Sequence, residues 1–410
     1  FNQVDSLLGK GLPMSAVSDK QTNYFAENGI NVTTNTWWFA QMGQRVGLFQ
    51  EEGTGLANHY MYRLTDMLAL GHALEKLSPS LDIETFNQIV SYGSHIAKGS
   101  LEGVLDAVRR FIQDPHIESL PASDAGDSKK ERVKFHEALT QLQDDPVFRA
   151  FEGKLRIQPC GAIAPQQACD SFAAFVALHT LSPLYIFSDD SQALNSLWES
   201  GHWKKIYQNW QADQAARAAG QPALHYSDNW YSDRCAMLRH VLLRNLHDSE
   251  SVLKDGAANI SYIDRMRFSS TLPPDELHCG SASVGDQYRQ RIEFGSIIAD
   301  EIRGASADDH LYGGDGDDWV KGNSGNDYLE GGAGNDTYVF CSTDTGTDTI
   351  YDSDGKGQLE YEGTVLKGGM RLHKNVWFNK SQGFVYSLVG SEACPILLVQ
   401  RKEGDKTRRI

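Results

Sequence analysis

GASADDHLY (304–312), GGDGDDWVK (313–321), GNSGNDYLE (322–330) and GGAGNDTYV (331–339) stand end to end, one nine-residue pattern written four times. Each follows G-G-x-G-x-D-x-U-x, with U apolar, the pattern of a parallel β-roll in which a glycine-rich half-turn alternates with a short strand. The stretch before them, GSIIADEIR (295–303), keeps the frame loosely, with Asp300 sixth and Ile302 eighth. The eighth-position residues Leu311, Val320, Leu329 and Tyr338 are expected to point inward and form a thin core between two sheets. Four in-register repeats with the hydrophobe in frame are hard to obtain by composition alone, which sets the segment apart from a flexible Gly/Asp-rich linker.

The residue types suit a hard cation. Glycine lets the half-turn adopt dihedrals closed to other residues and brings carbonyl oxygens toward a common point. The sixth-position aspartate adds carboxylate oxygens, and Ca²⁺ takes roughly six to eight oxygen ligands. Consecutive units lie on opposite faces of a roll, so an ion is shared by one unit and the next but one. That pairs Asp309 with Asp327 and Asp318 with Asp336, with a weaker third site using Asp300 and Asp318. Gly304, Gly313, Gly316, Gly322, Gly325, Gly331 and Gly334 complete the expected calcium-binding set.

Charge agrees. The 410 residues carry 38 basic and 54 acidic side chains, a formal net charge of −16. Between Asp300 and Asp354, 14 carboxylates face only Arg303 and Lys321, so −12 of that charge lies in one stretch. Carboxylates so close together repel one another until a divalent ion neutralises them, so the loaded and empty states should differ in folding. The excess argues against nucleic acid or anionic lipid as a general partner. No run approaches the roughly 18 apolar residues of a membrane-spanning helix, and the beginning of the chain has no cleavable export signal pattern. The six cysteines are scattered with no C-x-x-C, which disfavours cysteine-bound zinc and makes buried free thiols the simpler reading, with Cys160 and Cys169 the closest pair should a disulfide form. There is no H-E-x-x-H, and His179, His202, His225, His240 and His247 make no i, i+4 pair with one another.

Outside the repeats, short strands are expected at 30–34, 36–40 and 45–49, and helices at 60–77, 84–92, 101–113 and 130–142, with a polar loop at 121–127. Further helices are expected at 171–180, 191–210 and 230–246, with no aromatic box standing out and Trp203 and Trp210 serving to pack a helix. After Phe340 the period ends, and strands are expected at 358–361, 375–378, 385–389 and 396–399. The expected division is 1–80, a largely helical 81–290, the roll at 291–345 and a β-rich flank at 346–410.

Residues 295–340 resemble the repeat block of RTX proteins, which are typically secreted by Gram-negative bacteria through a type I system with an uncleaved C-terminal signal. The resemblance implies an extracellular protein that folds in calcium-rich surroundings, with calcium ions and the type I secretion machinery as partners. The basic end, 404–410, departs from such a signal. The first 80 residues resemble the latter half of a class 3-like lipase domain as found fused to RTX repeats, an α/β-hydrolase. The likeness is carried by GLANHYMYRLTDMLALGHAL (55–74) and more loosely by NWQADQ (209–214) and SDNWYSDR (227–234). It implies His59, in a loop just before a helix, as the general base acting on a lipid or other ester; the alternative is a helix-capping or exposed histidine. No G-x-S-x-G occurs, and Ser94 has glycine on one side only, so the nucleophile elbow is expected upstream of Phe1. Where the family shows Gly-Asp this chain has Gly43-Gln44, leaving Glu51 or Glu52 as the substitute acid. The expected fold is therefore multidomain α and β: a partial α/β-hydrolase-like N-terminal part, a helical middle, a C-terminal parallel β-roll and a β-rich tail. The expected function is that of a secreted calcium-binding RTX protein forming part of a lipase- or esterase-like serine hydrolase. Its alternative is a non-enzymatic calcium-dependent module of an RTX toxin or surface protein.

Overall fold

The structure, a computed structural model, describes residues 57–94, 100–121, 128–161, 163–190, 192–254, 258–266, 274–391, 394–403 and 406–409. The strands expected at 30–34, 36–40 and 45–49, and Glu51 and Glu52, lie outside them. The chain divides into two compact units, Phe1–Ser283 and Val284–Ile410.

The described part of the first unit is mainly helical. Its helices are α1 (Ala57–Leu77), α2 (Ile83–Gly93), α3 (Ser100–Ile112), α4 (Ser128–Asp144), α5 (Pro146–Ala150), α6 (Pro165–Asp170), α7 (Phe172–His179), α8 (Asn195–Trp198), α9 (Lys204–Ala218) and α10 (Asp228–His247). Caps fix several ends: Asp82 accepts the Thr85 N–H at 2.7 Å to start α2, and Ser227 accepts the Trp230 N–H at 3.1 Å to start α10. Gly103 lets α3 approach α2, because a Cβ there would come within 2.5 Å of the Gly93 carbonyl oxygen. The single helix expected at 191–210 is instead α8, a 3-10 turn at Gly201–Trp203 and α9, broken at Gly201 with φ +59°. Strand β1 (Arg156–Pro159) pairs antiparallel with β2 (Leu184–Phe187), and β3 (Ile260–Asp264) with β4 (Asp275–Cys279).

Around α7 the fold gathers rings that are scattered in the sequence. Phe172 meets Tyr207 at 4.6 Å, Trp198 at 5.0 Å and Trp210 at 5.4 Å between centroids, while Phe175 meets Tyr226 at 4.9 Å. The Trp203 and Trp210 indole N–H groups donate to the Phe111 and Ala168 carbonyls at 3.0 and 3.1 Å, the packing role expected of them. These rings form an aromatic core. Beside it the Arg234 guanidinium, fully buried, holds the fully buried Asp264 carboxylate through two contacts of 3.1 and 3.2 Å.

In the second unit the repeats become two parallel ladders. One holds β5 (Gln290–Phe294), β7 (His310–Asp315), β9 (Tyr328–Ala333) and β11 (Thr349–Tyr351); the other holds β6 (Glu301–Arg303), β8 (Trp319–Lys321), β10 (Thr337–Phe340) and β12 (Gln358–Tyr361). Alternate units therefore stack in register, Leu311 opposite Leu329 and Val320 opposite Tyr338. Ile302, Leu311, Val320, Leu329 and Tyr338 form one buried cluster, the thin core expected from the eighth position. The parallel rungs run on past the end of the nonapeptide period, through Tyr361. Beyond the short β13 (Thr364–Val365), strands β14 (Met370–His373), β15 (Val376–Asn379), β16 (Phe384–Ser391), β17 (Cys394–Glu403) and β18 (Lys406–Arg409) form an antiparallel meander. Tyr361, Phe384 and Tyr386 anchor its core.

Removing one partner of a buried ion pair leaves the other charge uncompensated, at about 3–5 kcal/mol. Arg234→Ala is accordingly expected to destabilise the first unit by about that amount in urea denaturation; unchanged stability would mean Asp264 finds other compensation.

Candidate metal centre

The sixth-position aspartates of the four repeats, Asp309, Asp318, Asp327 and Asp336, each have one oxygen tied to the rung before in the same ladder, Asp309 Oδ1 by the Arg291 N–H at 2.6 Å. The Asp309 N–H donates to Asp327 Oδ1 at 2.8 Å, the Asp318 N–H to Asp336 Oδ1 at 3.0 Å, and the Asp300 N–H to Asp318 Oδ1 at 2.7 Å. The pairs expected to share an ion are therefore the pairs the ladder brings together. The other oxygen divides the set. In Asp300 and Asp309, Oδ2 accepts the backbone N–H of Ser296 and of Ala305, the second residue of the same unit. In Asp318, Asp327 and Asp336, Oδ2 is buried with no hydrogen-bond partner, although these residues are at most 1% exposed. A buried carboxylate oxygen without a donor is costly, and a cation is the partner that would satisfy it.

The first-position glycines make room for that oxygen. A Cβ on Gly304, Gly313, Gly322 or Gly331 would run into Oδ2 of Asp309, Asp318, Asp327 or Asp336 in the same unit. The fourth-position glycines do different work. Gly316, Gly325 and Gly334 have φ of +140°, +135° and +145°, and a Cβ on Gly334 would strike the Gly316 carbonyl oxygen one rung away. Carbonyl oxygens thus line up from rung to rung beside the carboxylates. Among the described residues no three His, Cys, Asp or Glu side chains gather into one metal-binding group. A cation here would be held by two carboxylates, with carbonyl oxygens completing its shell, a donor set of hard oxygens that fits Ca²⁺ and not zinc. The ion would supply the positive charge that these side chains lack.

Sequence reasoning missed a second ladder on the outside of the turns. The Asn326 N–H donates to Asp308 Oδ1 at 2.7 Å and the Asn335 N–H to Asp317 Oδ1 at 2.8 Å, fifth position to fifth position. The recurrence of Asp or Asn at that place in each unit was the available signal. At the second position Asn323 takes φ +72° where glycines stand at 314 and 332, a substitution that asparagine tolerates better than most residues.

Elsewhere, His59 falls within α1, which begins at Ala57, and not in a loop before the helix as expected. Its proposed acids, Glu51 and Glu52, lie outside the described residues. Cys160, Cys169, Cys235, Cys279 and Cys341 are free thiols; burial pushes Cys160 up to about 12. Of the lone histidines, His202 faces Asp114 at 3.3 Å and His225 faces the buried Asp213 at 3.1 Å.

Residues 300–338 match the RTX calcium-binding nonapeptide repeat, in four copies. The roll is thus built on calcium-binding RTX repeats, and its ion is Ca²⁺. No curated protein matches the chain.

Burial lifts these aspartates well above the ordinary carboxylate range, to about 7 for Asp318 and to about 6 for Asp309, Asp327 and Asp336; the N–H groups they accept oppose the shift and neighbouring carboxylates add to it. The metal-free folded roll therefore binds protons more tightly than the unfolded chain between the ordinary value of 3.8 and about 7, and its stability falls as pH rises through that window. In EDTA, calorimetry is expected to show the second unit melting higher at pH 5 than at pH 7.5, with calcium affinity rising over the same interval as ions displace protons. A metal-free melting temperature that climbs with pH would contradict the assignment.

Proposed function

We propose that the second unit is a calcium-triggered folding module of an exported protein, and that the chain works outside the cell. The observation that supports this reading is the column of buried aspartates with orphaned oxygens at Asp318, Asp327 and Asp336. A roll whose carboxylates repel one another and lack donors is disfavoured where calcium is scarce and stabilised where it is abundant, by mass action on the folded state. Such a chain travels unfolded through an export channel and folds at its destination, with type I secretion machinery the fitting route. Among the described residues no helix is long and apolar enough to cross a membrane.

For the first unit, the reading is part of a lipase- or esterase-like serine hydrolase, with His59 as general base and the nucleophile outside this chain. Its support is the likeness of 55–74 to the class 3-like lipase domain. A histidine can assist acyl transfer only with a nucleophile within hydrogen-bond reach. The chain of 410 residues is expected to remain unlabelled by a serine-reactive fluorophosphonate, whereas a longer chain carrying a G-x-S-x-G segment before Phe1 is labelled and loses turnover by orders of magnitude on His59→Ala. A longer chain that neither labels nor turns over esters makes the first unit a non-enzymatic module.

For the second unit, thermal unfolding in EDTA and in millimolar calcium is expected to differ by many degrees. Asp318→Ala should lower the calcium-loaded melt more than Asp309→Ala, since Asp318 lies between Asp300 and Asp336 in one ladder and Asp309 pairs with Asp327 alone. Identical melts in the two conditions would remove the folding-module reading.

A further inference from the structure

The nonapeptide pattern ends at Val339, and the matched repeats at residue 338, yet two more rungs follow. Strand β11 places Thr349 opposite Tyr328, and β12 places Gln358 opposite Thr337. The step between stacked rungs lengthens from 18 residues to 21, as between Asp309 and Asp327 and then between Asp327 and Asp348. The extra residues are Phe340, Cys341 and Ser342. With them set aside, TDTGTDTIY (343–351) and DSDGKGQLE (352–360) fall into the nine-residue frame.

The first of these repeats the hydrogen bonding of a nonapeptide rung. The Asp327 N–H donates to Asp348 Oδ1 at 3.1 Å, and the Thr349 N–H to the Asp327 carbonyl at 2.7 Å. The Thr347 N–H donates to Asn326 Oδ1 at 3.0 Å, continuing the fifth-position ladder. Gly346 takes the fourth position with φ +110°, and a Cβ on it would strike the Gly325 carbonyl oxygen.

The second rung inverts the pattern. Its sixth residue is Gly357, so no aspartate stands where the others have one. Its first residue, where the nonapeptides have glycine, is Asp352. In the nonapeptides a Cβ on the first-position glycine would run into Oδ2 of the sixth-position aspartate; here a Cβ on Gly357 would run into Oδ2 of Asp352. The carboxylate enters the same space from the opposite end of the turn. Asp352 Oδ1 is held by the Gly355 N–H at 2.7 Å.

We propose that Asp348 and Asp352 complete two calcium sites outside the nonapeptide repeats, the first with Asp327 and the second with Asp336. The inference rests on the calcium reading of the roll and extends it to positions the motif does not mark. Asp327 and Asp336 are the last sixth-position aspartates of their ladders within the repeats, each spends Oδ1 on the preceding rung, and each buries an Oδ2 without a partner. With the three pairs 300/318, 309/327 and 318/336, the roll then holds five ions.

Calcium bound per chain, counted by equilibrium dialysis and native mass spectrometry on the whole protein, tests this. The wild type is expected to bind five ions, Asp348→Asn and Asp352→Asn four each, and the double variant three, with the calcium-induced β signal in circular dichroism retained. A wild-type count of three, or a count unmoved by both changes, overturns the two added sites while leaving the repeat sites standing. A wild type that binds no calcium overturns the reading of the repeats themselves. Should either variant fail to fold, the wild-type count of five against three still decides.

Discussion

A single buried group governs the second unit: an aspartate with one oxygen fixed by the backbone of the neighbouring rung and the other left without a donor. At Asp318, Asp327 and Asp336 the unit has committed a carboxylate to its interior beside other carboxylates. Such a group favours protonation, unfolding or a bound cation. The glycines follow from it, because the first position must stay bare for Oδ2 and the fourth must turn carbonyls toward the same edge. The short strands follow as well, since three to six residues are all that remain between turns.

The core cannot stand in for the ion. Each nonapeptide contributes one apolar residue to the cluster between the ladders, Leu311, Val320, Leu329 or Tyr338, and Tyr312 and Val339 are buried as well, while all of the backbone must be ordered. Conformational entropy scales with residues fixed and hydrophobic stabilisation with apolar area buried, so a unit with one or two core side chains is poorly supplied by burial alone. The first unit has the opposite balance. Its aromatic core around Phe172 and Phe175 and its fully buried Arg234–Asp264 pair are independent of any cation in the described residues. Calcium therefore has a physical reason to act on one unit and not the other.

What was legible in the sequence follows the same division. In the roll, each residue's role is set by its place in a nine-residue frame, so the inward residues, the stacking of alternate units and the aspartate pairs could all be read without coordinates. The tail strands expected at 358–361 and 385–389 also emerge, as β12 and within β16. In the first unit, contacts join residues far apart in the chain. Phe172 touches Trp198 and Trp210, and Arg234 reaches Asp264 across 30 positions; no local pattern announces such pairs. The helix expected at 191–210 is interrupted because Gly201 takes a positive φ that ends one segment before Lys204 begins the next, which apolar spacing does not register.

The last two rungs show where a motif stops being a guide to structure. A sequence frame counts residues, whereas a roll counts turns, and three additional residues, beginning with Phe340 at the end of β10, are tolerated because the ladder is fixed by strand register and not by loop length. Once Thr349 is opposite Tyr328 and Gln358 opposite Thr337, the added rungs stack in register, and the space beside the closing one is again shared by a bare glycine and a carboxylate oxygen, Gly357 and Asp352 Oδ2. What must fill that space is a carboxylate, and the backbone offers two places from which one can reach it, the sixth residue or the first. The nonapeptides use the sixth and keep the first as glycine; the closing rung uses Asp352 and keeps Gly357 bare. The conserved quantity along the roll is the charge in the gap, and the residue that delivers it is free to change.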